Sequence, residues 1–319
     1  MKIGLIDVDG KNFPNLPLMK LSAYHKAKGD SVEWYEPLFS DELDRVYMSK
    51  VFSFTPDYEY NVRAKEVIKG GSGYCIDVIN GCEVYNKERD IDLDDKIEHI
   101  YPDYSIYYNK IPETKTTAYG FLTRGCPRGC NFCHVAAKEG RRSYKVADLN
   151  EFWSGQKYIE LLDPNITGAK ECIDLFKQLV DSKAWVNFNQ GLDVRLMTEE
   201  KAELIKQIKI KCIHTAWDRY QDKDFIIPKF KMFKDITKLD KRKLIVYVLT
   251  NYDTTLEQDL ERIYTLRELG YWAYVTIYNK DALPKGHILR KLQRYVNNRF
   301  IFESCASFED YQKKGANNG

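Results

Sequence analysis

The sequence predicts an α/β protein in which a parallel-sheet domain precedes a partial (βα)6 barrel of the TIM type. Three observations predict it. The first 90 residues run strand, helix, strand; apolar runs alternate with helical patterns beyond residue 118; and 44% hydrophobic with 30% charged residues is the balance of a globular chain. Strands that alternate with helices pair in parallel through right-handed crossovers, and such crossovers curve a long sheet toward a barrel.

Ile3 to Asp7 reads as a strand, Leu16 to Lys28 as an amphipathic helix stopped by Gly29, and Ser31 to Tyr35 as a second strand. Arg45 to Phe52 reads as a third strand, and Val62 to Lys69 as a helix that stops at Gly70 and Gly71. From Glu83 to Thr117 the chain is acidic and tyrosine-rich without a sustained period, which predicts a linker packed partly on both domains. Strand patterns then recur at Tyr119 to Thr123, Tyr158 to Leu162, Trp185 to Asn189, Lys211 to Ala216, Leu244 to Thr250 and Ala273 to Tyr278. Helical patterns at Ala169 to Ser182, Thr198 to Ile208 and Leu256 to Leu269 separate them, giving six βα units. The expected divisions are a domain over 1–90, a linker over 91–117, the barrel over 118–305 and a frayed polar tail over 306–319. In this architecture the reactive groups belong at the C-terminal ends of the strands, where loops and helix N-termini converge.

A formal net charge of +2 is far from the strong positive field of a protein that grips phosphates, so nucleic acid is not the favoured partner. The basic run Lys229 to Lys243 has apolar residues at helical spacing and reads as the solvated face of a helix, with a surface for nucleic acid or an acidic peptide as the alternative. The opening MKIGLIDVDG reads as strand and turn rather than an export signal, and no run reaches the roughly 18 apolar residues that cross a bilayer. The expectation is a cytoplasmic protein with no membrane partner.

Eight cysteines are present, and Cys126, Cys130 and Cys133 fall within one stretch, TRGCPRGCNFCHVAAKEGRR, directly after the first barrel strand. In a reducing compartment clustered thiols point to metal or redox chemistry rather than disulfides. Cysteine thiolates are the ordinary ligands of a 4Fe-4S cluster, and three of them leave one of its four irons without a protein ligand. Gly125 and Gly129 permit a tight wrap around such a group, and Pro127 stiffens it. A zinc site with His134 as fourth donor is the rival reading, set against it the difficulty that adjacent Cys133 and His134 have in reaching one tetrahedral ion.

The CxxxCxxC spacing with Phe132 before its third cysteine resembles the signature of the radical S-adenosylmethionine superfamily. The resemblance covers residues 118–305. It implies an enzyme in which the methionine part of S-adenosylmethionine chelates the open iron and a reduced cluster cleaves it to a 5'-deoxyadenosyl radical. That radical abstracts hydrogen from a small-molecule or peptide substrate, and a reductant such as flavodoxin or ferredoxin supplies the electron. Base modification in a nucleic acid, or a non-catalytic iron-sulfur protein for electron transfer or redox sensing, are the alternatives.

The same resemblance implies cofactor contacts at the strand ends. Asp163, in YIELLDPNIT, stands where the family places a polar group near the methionine amine, although its usual paired glycines and glutamate are absent; an Asp-Pro turn cap is the other reading for Asp163 and Asn165. FNQGLDVRLM resembles a stretch bordering the ribose and carboxylate, which nominates Gln190, Asp193 and Arg195, with an Arg195–Asp193 pair as the alternative. Thr250 and Asn251 end another strand, beside an ordinary helix-capping pattern at Asp253 to Thr255. Cys305 reads as a core thiol or as a hydrogen donor to the site.

Residues 1–90 resemble the Rossmann-like domain of cobalamin-binding members, a likeness to which Gly70 to Tyr74 contribute. Those domains supply a histidine to cobalt from a DxHxxG loop. Here the loop reads DVDGKNFPN, with Lys11 and no histidine, and His25 is expected on the surface of the first helix. Cobalamin, if bound, is therefore not histidine-ligated; a domain that has lost the cofactor is the alternative. The methylthiotransferase branch requires three cysteines in this domain, and only Cys75 and Cys82 are there.

Overall fold

The computed structural model describes residues 1–10, 12–79 and 82–316. The first parallel sheet consists of β1 (Lys2–Asp7), β2 (Ser31–Trp34), β3 (Leu43–Ser49) and β4 (Ala64–Gly70), in the order β2-β1-β3-β4. Helix α1 (Leu16–Ala27) starts where the Asn15 side chain accepts the Leu18 amide and ends before Gly29, whose φ of 82° suits a residue without Cβ. Leu18 and Leu21 of α1 bury Ile3 and Leu5 on one face of the sheet; Tyr35, Tyr58, Val62 and Tyr74 cover Ile6, Val46 and Met48 on the other.

The helix expected over Val62 to Lys69 is instead the edge strand β4, in register with β3 from Leu43 opposite Ala64 to Ser49 opposite Gly70. AKEVIK carries apolar residues at spacings that fit either period, and pairing with β3 decides between them. Its charges are those of an edge: Lys65 pairs with Asp44, and Glu66 with Arg45 across the ladder. The domain therefore has one crossover helix, and β2–β3 and β3–β4 are joined by irregular segments.

The hairpin of β5 (Ile76–Ile79) with β6 (Cys82–Tyr85) leads into the stretch read as a linker, which holds the short helix α2 (Asp95–Glu98) and single turns at Tyr104–Tyr107 and Pro112–Lys115. Tyr104 and Tyr107 are buried. Cys82 belongs to β6, but its side chain lies outside the described residues, as does Lys11. His25 is buried, not at the surface: its ring bridges Asp30 (2.7 Å) and the Tyr47 hydroxyl (3.0 Å).

Beyond Thr117 come β7 (Thr117–Gly120), the two-residue hairpin partners β8 (Thr123–Arg124) and β9 (Tyr144–Lys145), which flank α3 (Val135–Glu139), and then β10 (Tyr158–Leu161). They are followed by β11 (Trp185–Phe188), β12 (Lys209–Ala216), β13 (Leu244–Thr250) and β14 (Trp272–Ile277). The second large sheet has the order β14-β13-β12-β11-β10-β7, so neighbours in the barrel pattern are neighbours in the sheet. Helices α4 (Cys172–Ser182), α5 (Glu199–Gln207), α6 (Lys223–Thr237), α7 (Leu256–Glu268) and α8 (Ile288–Asn297) follow β10 to β14 in turn, and α9 (Arg299–Ser304) and α10 (Phe308–Ala316) complete the chain. The run of six βα units is the partial barrel that the periodicity predicts.

Contacts divide the chain into two compact units, Met1–Leu162 and Asp163–Gly319. In the second, α6 buries Ile226, Phe230, Phe233 and Thr237 at helical spacing and turns its lysines outward. The basic run is thus one face of α6 followed by a 3-10 turn. Lys229 and Lys234 donate to the Met197 and Leu239 carbonyls, and Lys241 and Arg242 pair with Glu303 and Asp240. Among the described residues no helix is long and apolar enough to cross a membrane.

Candidate functional site

The three clustered cysteines lie on the loop between β8 and β9, which the antiparallel pairing of Thr123 with Lys145 and Arg124 with Tyr144 closes at its base. The loop is held from inside by Glu139. Its carboxylate accepts the Gly125 amide (2.9 Å) and the Arg124 guanidinium (3.0 Å), which also lies over the Phe121 ring at 3.4 Å. Two charge-assisted bonds to a half-buried pair fix the strand exit. Glu139 escaped sequence reasoning, yet it is the sole acidic residue between Arg124 and Ser143, among five basic ones.

Gly125 (φ 74°) and Gly129 (φ 58°) both occupy the left-handed region. A Cβ on Gly125 would overlap the Arg142 carbonyl oxygen, and one on Gly129 would stand 2.9 Å from Arg141 Nε. The Cys126 amide donates to Gly140 and the Cys133 amide to Cys130, which folds the motif into a compact wrap. Cys126 and Cys130 are half-buried and Cys133 is exposed. Phe132 is half-buried between them in sequence. His134 turns its Nε2 to Glu83 of β6 at 3.1 Å, and Glu83 also takes the Ser53 hydroxyl. Among the described residues no three His, Cys, Asp or Glu side chains converge as the ligands of one ion do. Thiolates that take separate corners of a cube need no such convergence. Three soft donors on a loop whose glycines leave no room for side chains fit an iron-sulfur cluster bound through three corners.

In the second unit, the nominated residues other than Cys305 lie at or after the C-terminal ends of strands. Asp163 follows β10 and is buried; a Cβ on Gly191 (φ 87°) would overlap its carbonyl oxygen, so the exits of β10 and β11 lie against each other. Asn165 pairs with Gly191 in an isolated parallel bridge and caps the next turn, accepting Gly168 N (3.2 Å) and the Thr167 hydroxyl (2.7 Å). Asp193, buried after β11, accepts both the Arg195 amide (3.1 Å) and its Nε (2.7 Å), while Arg195 Nη1 donates to Asp222 (2.8 Å). Burial opposes the Arg195 charge, but the two carboxylates more than offset it and hold the guanidinium above its ordinary value. Gln190 is exposed beside this cluster in the chain, whereas Asn251 (φ 63°) donates its amide to the Tyr278 carbonyl and ties β13 to β14. Thr250 is buried and donates to Thr276. Cys305 is buried as the C-cap of α9.

Sequence reasoning missed Asp218 and Arg262. Arg262, on α7 and fully buried, donates to the carbonyls of Trp217, Asp218 and Leu249 and to Asp259, stapling the exits of β12 and β13. Burial pushes the Asp218 carboxyl up to about 6, with Arg262 and Arg195 and the Leu249 amide acting against the rise. The signal was faint: an aspartate two residues beyond a predicted strand end.

The first sheet has its own switch point between β1 and β3, where an open α/β sheet ordinarily takes a ligand. Here chain atoms bridge it. Tyr107 Oη donates to Asp7 Oδ2 (2.5 Å) and accepts the Asn15 amide (3.0 Å), and Asn15 Nδ2 reaches Ser49 Oγ (2.8 Å). A Cβ on Gly71 would overlap the Lys50 carbonyl oxygen, and one on Gly73 would crowd Lys50 and Phe52, so these two glycines serve close packing on the β3 exit. These residues do not fit the insertion of a cobalamin tail.

No protein-family model matches the sequence, and no curated protein is significantly similar to it. Among solved structures, the chain is similar to the radical S-adenosylmethionine methyltransferase TsrM from Kitasatospora setae, a structure with cobalamin and a 4Fe-4S cluster bound. The TM-score is 0.61 at 11% identity, over 86% of this chain and 74% of that one. Two structures of Streptococcus suis SuiB, one bound to S-adenosylmethionine and one to the precursor peptide SuiA, match with TM-scores of 0.39 and 0.40. Their identities are 14% and 13%, over 67% and 71% of this chain, which spans 53% and 55% of theirs. At this level of identity the likeness to TsrM is one of architecture alone: an N-terminal Rossmann-like parallel sheet followed by a partial (βα)6 barrel.

Proposed function

We propose that this chain is a radical S-adenosylmethionine enzyme in which Cys126, Cys130 and Cys133 hold a 4Fe-4S cluster and residues 118–305 form the catalytic barrel. The observation that carries the reading is the loop itself: three thiols on a wrap that Gly125, Gly129 and Glu139 shape, at the exit of the first strand of a parallel βα sheet. When bound, the cluster and S-adenosylmethionine supply a 5'-deoxyadenosyl radical able to abstract hydrogen from an unactivated carbon.

The protein's own part is placement. Arg124 and Glu139 fix the strand exit, so the thiols are presented from a preorganised backbone. Asp163, Gln190, Asp193, Arg195 and Asn251 offer polar groups at strand ends of the same sheet for the methionine and ribose of the cofactor, with Phe132 inside the cysteine motif. Arg195, already held by two carboxylates, acts through its fixed orientation and through the charge it lends Asp193 rather than as a loose anion clamp. The exposed Arg128, Arg141 and Arg142 around the loop suit an acidic reductant of the flavodoxin or ferredoxin type. The substrate class this reading favours is a small molecule or peptide, in the cytoplasm.

Anaerobic reconstitution with iron and sulfide, then reduction in the presence of S-adenosylmethionine, tests the proposal. Deoxyadenosine and methionine form in equal amounts, and Cys130→Ala reduces both to background. Stoichiometric zinc with little iron in the purified protein, or a cluster that never cleaves S-adenosylmethionine, overturns it.

A further inference from the structure

We propose that Tyr107 is the built-in occupant of the ligand crevice in the N-terminal sheet, so that this domain, despite its Rossmann-like order, takes no cobalamin and encloses instead a latent site for a small phenol.

The order β2-β1-β3-β4 places the crevice between the carboxyl ends of β1 and β3, above the N-terminus of α1. In a ligand-carrying domain of this kind the polar groups there face an empty cleft and are satisfied by the ligand. Here Asp7 and Asn15 are satisfied by the chain. Asp7 Oδ1 accepts the Gly10 amide (3.2 Å) and Oδ2 the Tyr107 hydroxyl, while the Asn15 amide ahead of α1 donates back to the same hydroxyl. A single phenol oxygen thus takes both hydrogen-bonding roles that a cofactor's polar tail would take at this position.

The ring is anchored as firmly as the hydroxyl. Tyr107 is 2% exposed, its ring meets Trp34 of β2 edge-on at 5.0 Å, and Lys110 Nζ lies over the same indole at 3.7 Å. Nearby Tyr104 donates to the Phe152 carbonyl (2.7 Å), which pins the turn carrying both tyrosines. Burial pushes the Asp7 carboxyl above its ordinary value and the Tyr107 bond pulls it back, so the carboxylate gains from keeping its donor. The opposite wall is closed as well: Asp9 caps the amides of Val51 and Phe52 and accepts the Thr55 hydroxyl (2.7 Å), and Gly73 lies so close to Phe52 that a Cβ would stand 2.8 Å from its carbonyl oxygen. An incoming tail would have to expel a buried aromatic ring and break its hydrogen bonds to the half-buried Asp7 carboxylate and the Asn15 amide before it could replace them.

Two measurements on the full chain decide the matter, and neither depends on cluster chemistry. Hydroxocobalamin is mixed anaerobically with the wild-type protein and passed through a desalting column; the expected absorbance of the protein fraction shows no retained corrin. In parallel, p-cresol, which is the tyrosine side chain as a free molecule, is added to wild type and to Tyr107→Gly during thermal unfolding. It raises the melting temperature of the variant by several degrees, or restores folding if the variant folds only in its presence, and leaves wild type unmoved. Near-stoichiometric corrin on the wild-type protein overturns the proposal, as does a p-cresol response equal in the two proteins. The wild-type corrin measurement stands whether or not the variant folds.

Discussion

Two places in this chain have the same address in the architecture and opposite fates. The crevice over β1 and β3 and the cysteine loop beyond β7 both lie at the C-terminal ends of parallel strands, the position from which α/β sheets bind ligands. In the crevice the Asp7 carboxylate and the Asn15 amide both have a partner from within, and the aromatic ring that supplies it is buried. On the loop the backbone is held at Gly125 by Glu139, at Cys126 by Gly140 and at Cys133 by the Cys130 turn, while the cysteines stand half-buried or exposed. A strand end is therefore a frame common to both, and what distinguishes the loop is its chemistry: three soft thiol donors on a glycine-shaped wrap, against a phenol ring that fills the crevice.

The largest expected effect comes from a matched pair of substitutions. Gly71→Ala and Gly125→Ala each place a methyl group on a carbonyl oxygen in a left-handed backbone, so each destabilises the protein by on the order of 3 kcal/mol. Thermal unfolding should show similar losses for both. Only Gly125→Ala should also lower the iron retained after anaerobic reconstitution, because only that loop presents the thiols. Equal loss of iron from both variants would erase the distinction drawn between the two regions.

A smaller effect distinguishes the third strand-end group, Asp218, from a surface carboxylate. Its folded value of about 6 lies above the ordinary 3.8, so between those values the folded state holds a proton that the unfolded chain releases. Stability is then highest near the lower limit and declines as pH rises through about 6, after which the full cost of the buried charge is present. Asp218→Asn removes that slope. Urea unfolding of the two proteins between the limits should show wild type losing on the order of 2 kcal/mol relative to the variant as pH rises. Parallel profiles would mean that Arg262 and Arg195 compensate the carboxylate completely.

What could be read from the sequence divides along physical lines. Leu244 to Thr250 is a strand over the very residues its apolar alternation predicts, and the cysteine motif, a local pattern, needed no tertiary information. Val62 to Lys69 fails because a short run with charges on an edge strand carries no period of its own; its hydrogen bonds to β3 decide its form. Tyr107 and Arg262 were illegible for a different reason. Tyr107 reaches Asp7 100 positions away and Arg262 the Trp217 carbonyl 45 positions away, and a tyrosine in an acidic linker or an arginine in an amphipathic helix looks solvated until such partners are known. Arg195 was half-legible: its Asp193 partner lies two residues off, but Asp222 lies on another loop.

The smallest expected effect is the sharpest test of the cysteine loop. His134 follows Cys133 directly and is the one imidazole that a zinc reading would recruit, yet its Nε2 faces Glu83 at 3.1 Å on a largely exposed edge. An ion pair of that exposure contributes less than about 1 kcal/mol, and a glutamine at this position keeps an amide donor for the carboxylate. His134→Gln should therefore leave the melting temperature within a degree or two and the iron content unchanged, while Cys133→Ala loses the metal. If instead the histidine variant loses metal as the cysteine variant does, four donors close the site, no corner remains for an exchangeable ligand, and the loop belongs with the crevice as a place already filled.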